Sequence, residues 1–268
     1  MSGGADSLAL LVLARATGCE VIAIHVDHGL REGSAADAEV VRAAAARFGA
    51  RFVGASVTVA PGPNLEARAR AARYAALPVD VVTGHTADDQ AETVLINMLR
   101  GAGLDGLTAM GGARHPILGL RRSETRALCA ALALSPVDDP TNADPAFVRN
   151  RVRHELVPLL DAIAGRDIVP LLSRLAAVTS DDVAVVDGLA SAIDPTDARA
   201  LAAAPLPLAR RAVRRWLTID GYPPDLASVE RVLTVARGEV VACEVVGGRR
   251  VKRRGQRLSV DDDDSRDR

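Results

Sequence analysis

Two glycines between hydroxyl and carboxylate side chains open the chain. The stretch SGGADS, residues 2–7, runs directly into an apolar segment with helical spacing. Glycines let backbone N–H groups approach an anion closely, and a helix N-terminus favours negative charge. Ser2 and Ser7 add hydroxyl donors, and Asp6 suits a Mg²⁺ ion between it and a phosphate. The stretch indicates a phosphate-binding loop, although a turn before an N-capped helix has the same composition.

Carboxylates gather in a second stretch, GHTADDQAET at residues 84–93, after an apolar run predicted to be a buried strand. Asp89 and Glu92 are three residues apart and share a helix face, and Asp88 lies at the helix start. The helix dipole alone favours one or two acids in a first turn. Clustered carboxylates hold Mg²⁺ or capture an ammonium group.

Arginines mark two further stretches. Arg70 and Arg73 are three residues apart in a helix predicted over 64–77, where a solvated basic face is the alternative. The stretch 138–160 combines a proline-bounded loop with Arg149, Asn150, Arg151 and Arg153. Basic residues at a helix start are unfavourable without a nearby anion, so this second group favours an anionic partner.

The stretch HVDHGLR, residues 25–31, lies at the end of a predicted strand. His25, Asp27 and His28 are possible metal ligands, but no further His or Cys cluster supports zinc. We favour a strand-end loop that shapes a nucleotide pocket, with Arg31 available for anions.

The composition gives the chain no strong overall electrostatic field. The 268 residues carry a formal net charge of −1, so nucleic-acid binding would need local basic patches. No apolar run reaches the ~18–20 residues of a membrane helix, so no membrane association is expected. Cys19, Cys129 and Cys243 lie far apart, which predicts reduced thiols in a cytoplasmic protein. Lys252 is the single lysine, a bias that a GC-rich genome also produces.

Helical and strand patterns alternate through the first half of the chain. Strands are predicted over 20–26, 51–59 and 79–85, and helices over 34–50, 64–77 and 87–101. This order predicts an α/β fold, a Rossmann-like parallel sheet with helices on both faces. Ligands bind such sheets at the carboxyl ends of the strands.

Three regions are expected along the chain. Residues 1–160 are expected to form an α/β domain that contains the candidate sites, and residues 161–260 a smaller, mainly helical domain. Within the latter, residues 243–260 predict a hairpin that turns at Gly247 and Gly248. The acidic tail, residues 261–268, is predicted to be disordered.

Taken together, these stretches resemble one family. SGGADS resembles the PP-loop of the N-type ATP pyrophosphatases, which cleave ATP between its α- and β-phosphates. Within that superfamily the chain is similar to the tRNA(Ile)-lysidine synthetases. The stretches that carry the similarity are SGGADS, HVDHGLR, NLEARARAARY, GHTADDQAETVLINMLRG, HPILGLRRSE and DPTN with RNRVRHELVPLL. They span residues 2–160, and the remainder resembles the family's helical region in a short form.

The resemblance implies a reaction. Such an enzyme binds ATP with Mg²⁺, L-lysine and an isoleucine tRNA with a CAU anticodon. It adenylates the C2 oxygen of the wobble cytidine, and the lysine ε-amine then displaces AMP to give lysidine. Codon reading and aminoacylation change from methionine to isoleucine. The resemblance also makes residues 1–160 the ATP-binding catalytic domain and residues 161–260 the domain that binds tRNA or substrate. The sequence leaves open whether the chain acts alone or as a homodimer.

The resemblance also implies roles for the residues. The ATP phosphates would lie in the loop formed by Ser2, Gly3, Gly4, Ala5, Asp6 and Ser7, with Asp6 holding Mg²⁺. The lysine ammonium group, which must become neutral before it attacks, would be bound by Asp88, Asp89 and Glu92. Phosphate or the flipped cytidine would meet Arg70 and Arg73. The anticodon loop would face Arg149, Asn150 and Arg153. The catalytic residues would be Asp6, Asp89 and Arg73.

Two alternatives remain open, and one feature departs from the family. A PP-loop tRNA thiolation enzyme that uses an iron–sulfur or persulfide route would need paired cysteines. A non-catalytic nucleotide- or RNA-binding relative would release no pyrophosphate. In the family a buried central strand precedes the PP-loop, whereas here Ser2 already belongs to the loop. We expect a mis-assigned start, with a short Val/Ile/Ala-rich strand encoded upstream.

Overall fold

The computed structural model describes residues 1–27, 29, 34–58, 65–138, 140–219 and 221–261. The chain divides into two units, Met1–Thr179 and Ser180–Arg268, which are described separately. The first unit consists of a parallel sheet with helices, and the remainder is largely helical.

A pair of parallel strands forms the sheet of the first unit. Strand β1 (Ile22–Asp27) pairs with β2 (Arg51–Ser56) in a register from Ile22↔Arg51 to Asp27↔Ser56. Helix α1 (Ala5–Ala16) precedes β1, and α2 (Ser34–Arg47) makes the crossover that parallel strands require. The core between these elements contains Leu8, Leu11, Ala23, Val41, Ala44 and Ala45, and Cys129 from a later helix completes it. Both predicted strands are confirmed here.

The third predicted strand, over residues 79–85, is wrong. This stretch is irregular in the structure, and Val79 and Val82 are 83% and 45% exposed. Its backbone N–H groups bond to turns instead of a neighbouring strand: Val81 donates to Pro78, and Thr83 to Arg114. An apolar β-branched run becomes a strand only where another strand completes its ladder.

Helices make up the rest of the first unit. They are α3 (Leu65–Ala75), α4 (Ala87–Leu99), the short α5 (Leu104–Leu107), α6 (Arg122–Ala131), α7 (Val148–Arg151) and α8 (Val157–Ala164). A π-helical turn, Val152–Leu156, joins α7 to α8. Pro158 follows this turn and has no N–H for the carbonyl four residues earlier, so the local bulge accommodates it.

The long helix α9 (Val169–Ser191) begins in the first unit. Its first residues, with part of α8, pack on α4: Ala87 and Ala91 share a buried cluster with Val169 and Leu172, and Leu95 shares one with Ile168. This packing explains why the boundary between the two compact units falls after residue 179, whereas the sequence predicted a boundary after residue 160.

The end of α9, three further helices and a small sheet form the described part of the second unit. The helices are α10 (Ala198–Ala203), α11 (Leu206–Leu217) and α12 (Leu226–Arg237). Strands β3 (Ala242–Glu244), β4 (Arg250–Arg254) and β5 (Arg257–Asp261) pair antiparallel in that order. The hairpin predicted at Gly247 and Gly248 is confirmed, since both have positive φ, 84° and 72°, in the β3–β4 connection. Residues 262–268 lie outside the described residues.

The core of the second unit lies where α11 and α12 meet the sheet. It contains Val213, Leu217, Val229, Val232, Val235, Val251 and Leu258. Trp216, the single tryptophan, packs against this core. None of the helices that the structure describes is long and apolar enough to span a bilayer.

Replacing Leu217 with alanine tests this core. Leu217 is 1% exposed, so the Leu217→Ala variant should lose about 2–5 kcal/mol of unfolding free energy through the cavity left behind. Urea unfolding followed by Trp216 fluorescence measures the loss. Leu226→Ala is the matched control, because Leu226 is 63% exposed on α12. Equal losses in the two variants would contradict the packing described.

Candidate functional site

Two serine hydroxyls form hydrogen bonds with the backbone of the loop at residues 2–7. Gly4 is the N-cap of α1, and its N–H donates to Ser2 Oγ at 3.3 Å. Ser7 Oγ donates to the Gly4 carbonyl at 2.9 Å. The first N–H groups of a helix have no intrahelical acceptor, so those of α1 are donors for an anion at the loop.

Gly3 fits the loop because it has no side chain. Its φ is +79°, and an added Cβ would lie 2.9 Å from Val137 Cγ2. The Val137 N–H donates to the Gly3 carbonyl at 3.0 Å, so the segment after α6 supports the loop from behind.

Gly84 brings the stretch before α4 against the loop. An added Cβ there would lie 2.6 Å from the Asp6 carbonyl oxygen and 3.1 Å from the Ser7 nitrogen. No real Cβ tolerates such contacts, so only glycine allows this approach. The backbone at Gly84 therefore brings the start of α4, with its carboxylates, against the loop.

Asp88 and Asp89, at the start of α4, are both paired with arginine. Asp89 Oδ2 accepts from the Thr86 N–H at 2.9 Å, and Oδ1 accepts from Arg122 Nη2 at 3.0 Å. Asp88 accepts from the Arg122 N–H at 2.7 Å and from Arg121. Burial opposes ionisation of both carboxyl groups, but these charges and hydrogen bonds outweigh it and lower their pKa values.

Glu92 lies beneath three arginines and is 2% exposed. Its Oε1 accepts from Arg153 Nε at 2.7 Å and from Arg122 at 3.2 Å. Its Oε2 accepts from Arg149 Nε at 2.9 Å and from Arg153 Nη2 at 3.0 Å. A carboxylate is buried at tolerable cost only when it is paired and hydrogen-bonded in this way.

The sequence analysis missed Arg121 and Arg122. Arg122 is the first residue of α6 and contacts both Asp89 and Glu92, and Arg121 also pairs with Asp167. Two adjacent arginines at a helix start are unfavourable without nearby anions, the same signal that drew attention to residues 149–153. Applied to HPILGLRRSE, that argument would have found them.

Asp6 lies at the edge of this cluster. Its Oδ1 accepts from the Thr125 hydroxyl, and Oδ2 is 3.8 Å from Arg122 Nε, too far for a hydrogen bond. Burial raises the pKa of the Asp6 carboxyl, the negative charge of Asp89 adds to the rise, and the Thr125 bond opposes it. An added cation would favour the ionised form here.

The residues fit a magnesium ion that is held mainly by substrate. No group of three or more His, Cys, Asp or Glu side chains suited to a metal occurs in the part of the chain that the structure describes. Mg²⁺ bound with a nucleotide needs only one or two carboxylates, because phosphates and water supply its other ligands. Asp6 meets that requirement.

The structure brings only some of the remaining predicted site residues into the cluster around Glu92. Arg149 and Arg153 join the cluster through Glu92, whereas Asn150 is buried and donates to the carbonyls of Thr141 and Asp144. The Asn150 amide is therefore engaged within its own loop. Arg73 lies over the Tyr74 ring, its guanidinium carbon 5.4 Å from the ring centroid. The structure does not describe His28, Arg31 or the side chain of Arg70, so these predicted residues lie outside the described part of the chain.

The cysteines give no metal or disulfide framework. Cys19 is exposed, Cys129 is buried and Cys243 is partly buried, and all three are free. Burial raises the pKa values of the Cys129 and Cys243 thiols.

Comparisons with known proteins find relatives over most of the chain. Residues 1–160 match the family model described as a PP-loop domain. The chain is 42% identical over 260 residues to the tRNA(Ile)-lysidine synthase of Nocardia farcinica (strain IFM 10152), covering 89% of this chain and 82% of that protein. It is 38% identical over 298 residues to the tRNA(Ile)-lysidine synthase of Rhodococcus opacus (strain B4), covering 99% and 90%.

A solved structure shares the fold. The U34-tRNA thiolase NcsA from Methanococcus maripaludis, solved with its [4Fe-4S] cluster, superposes with a TM-score of 0.54 and 18% sequence identity. The match covers 67% of this chain and 71% of the thiolase. At this identity the likeness is one of fold.

Replacing Gly84 with alanine should separate the loop from α4. The new Cβ forces the Asp6 backbone to move, which costs about 1–3 kcal/mol and should weaken ATP binding about 10-fold or more. Calorimetric titration with ATP measures the change. Gly119→Ala is the control, because no atom lies within 4 Å of a Cβ built there. Unchanged affinity in Gly84→Ala would refute the close approach.

Glu92→Gln tests the buried cluster by removing one charge at nearly constant volume. Three guanidinium groups then lose their shared partner, and the variant should lose about 3–5 kcal/mol of stability. Glu155→Gln is the control, because Glu155 forms an exposed i,i+4 pair with Arg151 and should change little. Thermal unfolding of both variants measures the difference, and similar melting temperatures would count against the cluster.

Proposed function

The chain belongs to the tRNA(Ile)-lysidine synthases, and we infer that it is a ligase that uses ATP to join L-lysine to C2 of the wobble cytidine of tRNA(Ile). The observation that carries this function is the arginine–carboxylate cluster against the PP-loop. It combines donors for a polyphosphate with carboxylates for an ammonium group, which are the two charge types that the reaction brings together.

We propose that the triphosphate of ATP lies along residues 2–7. The backbone N–H groups at the start of α1 and the Ser2 hydroxyl would donate to the departing pyrophosphate, and the Ser7 hydroxyl would join them by turning away from the Gly4 carbonyl. Such preorganised donors act where charge develops in the transition state. Asp6 would hold Mg²⁺, which neutralises phosphate charge when it is bound.

Arg122 is proposed to stabilise the phosphate at which cleavage occurs. Its guanidinium lies between Asp6 of the loop and the carboxylates of Asp89 and Glu92. These acids raise its pKa against the effect of burial, so the group stays charged. A fixed positive charge beside the loop supports transfer of the adenylyl group to the cytidine oxygen.

The lysine ammonium group is proposed to enter the carboxylates of Asp88, Asp89 and Glu92. Their oxygens are already bonded to arginines, so an incoming ammonium must share or displace a guanidinium. Exchange of one cation for another leaves the net charge of the cluster unchanged, which limits the electrostatic cost of binding.

The tRNA is proposed to contact basic residues at the exposed edge of the cluster and outside it. Arg149 is partly exposed, and Arg73 lies on α3, so both are candidates for phosphate or for the extruded cytidine with its CAU anticodon. Arg70 keeps the same proposed role. In the region 161–260, proposed to bind tRNA, strand β4 carries four basic residues in RVKRR.

A thiolation activity is the second candidate because the fold neighbour is a thiolase. That neighbour carries an iron–sulfur cluster, whereas the cysteines of this chain are three separate residues in different environments. Cluster-dependent thiolation is therefore disfavoured by the ligands that the sequence offers. A non-catalytic binder would bind ATP without releasing pyrophosphate.

Radiolabelled lysine, ATP and a CAU-anticodon tRNA(Ile) transcript test the function directly. The chain should incorporate lysine and release AMP and pyrophosphate, and Asp6→Ala should reduce incorporation by about 100-fold or more. Asp182→Asn, an exposed acid on α9, is the matched control and should retain activity. Sedimentation of the same preparation measures its oligomeric state. ATP binding without lysine incorporation would refute the proposal.

A further inference from the structure

Arg121 contacts two carboxylates that belong to different elements. Its Nε and Nη2 atoms donate to Asp88 Oδ2 at 3.2 Å and to Asp88 Oδ1 at 3.1 Å, and its Nη1 donates to Asp167. Asp88 lies in the first turn of α4, whereas Asp167 lies just before α9. One guanidinium group is therefore shared between a carboxylate proposed to receive lysine and a carboxylate outside that site.

The other arginines of the cluster bond to a more deeply buried acid. Glu92 is 2% exposed and accepts hydrogen bonds from Arg122, Arg149 and Arg153. An ammonium that displaced one of these groups would take a partner from a carboxylate that water does not reach. The Asp88 side chain is 17% exposed and keeps the Arg122 backbone N–H at 2.7 Å when a guanidinium leaves it. Exchange at Asp88 is therefore the least costly entry for a new cation.

Asp167 is placed to hold Arg121 after such an exchange. Its Oδ2 already accepts from Arg121, its Oδ1 accepts from the Val169 N–H at 3.0 Å, and its side chain is 47% exposed. A guanidinium that leaves Asp88 frees its Nε–Nη2 edge, and two N–H groups of an arginine bind one carboxylate side by side. The Arg121 backbone N–H donates separately to Glu124, so the side chain can turn while the start of α6 stays in place.

We propose that Arg121 holds the ammonium position at Asp88 while lysine is absent and moves onto Asp167 when lysine binds, an inference that rests on the proposed function. The incoming ammonium takes over the Asp88 carboxylate, and the guanidinium pairs with Asp167 alone. Each carboxylate has a cationic partner before and after the exchange, so neither charge is left uncompensated. Arg121 therefore acts as a positioning residue that orients Asp88 and competes with the substrate cation for it.

Arg121→Gln in the full chain tests the exchange through the KM for lysine, measured at saturating ATP and tRNA(Ile) transcript. The variant removes the competing cation and leaves Asp88 without its main partner until lysine arrives. We expect the KM for lysine to fall about 5-fold, with kcat and the ATP affinity each within about 2-fold of the wild type. A purely structural role predicts the opposite, a higher KM or weaker ATP binding, because loss of the ion pair would then disorder the start of α4.

Asp167→Asn is the second variant and should change the KM in the other direction. Its amide oxygen still accepts from the Val169 N–H, but the displaced guanidinium loses its anion. We expect the KM for lysine to rise about 5-fold. The double variant should show the KM of Arg121→Gln alone, because Asp167 acts on lysine binding only through Arg121.

Arg126→Gln is the matched control, because Arg126 on the same helix pairs with Asp138 at the surface, 3.5 Å away. This variant should leave the KM for lysine unchanged. An unchanged or raised KM in Arg121→Gln would overturn the proposal, and so would an equal effect of Asp167→Asn with and without Arg121. Failure of the proposed function is distinguishable, since the wild-type chain would then incorporate no lysine and show no KM to compare.

Discussion

Burial of the Glu92 charge is the constraint on which the site depends. A carboxylate removed from water costs several kcal/mol unless strong donors replace its hydration. The donors here are Arg122 at the start of α6 and Arg149 and Arg153 on the α7 segment and the π turn. The charge of one residue of α4 therefore holds together elements that are far apart in the sequence.

The close backbone contact at Gly84 connects this cluster to the loop at residues 2–7. Because the backbone before α4 lies directly on Asp6, the position of the loop and that of the carboxylates are linked without a flexible connection. The loop is also held from behind by Val137. A shift in α4 would thus move the loop and the acids together, so the proposed ATP and lysine sites would keep their separation.

The sequence predicted those features that local spacing determines. The SGGADS loop, the strands near 22–27 and 51–56 and the acids of α4 all follow from glycine chemistry and periodicity. Partners distant in the chain could not be predicted in the same way. The run 79–85 has the composition of a strand, but in the described residues no neighbouring strand forms hydrogen bonds with it. The Asn150 side-chain amide donates to carbonyls of its own loop, so it is already engaged there. Arg121 and Arg122 meet their carboxylate partners on α4 only when the chain folds so that α6 lies beside α4.

Every positive side chain in the cluster around Glu92 is an arginine, and the first unit has no lysine at all. A guanidinium group stays protonated at physiological pH and does not act as a nucleophile there, whereas a lysine amine does once it is neutral. An enzyme that activates a carbon atom for attack by an amine must not offer amines of its own. Under the proposed function, an arginine-only cluster would supply positive charge beside the activated cytidine without offering it a competing side-chain amine.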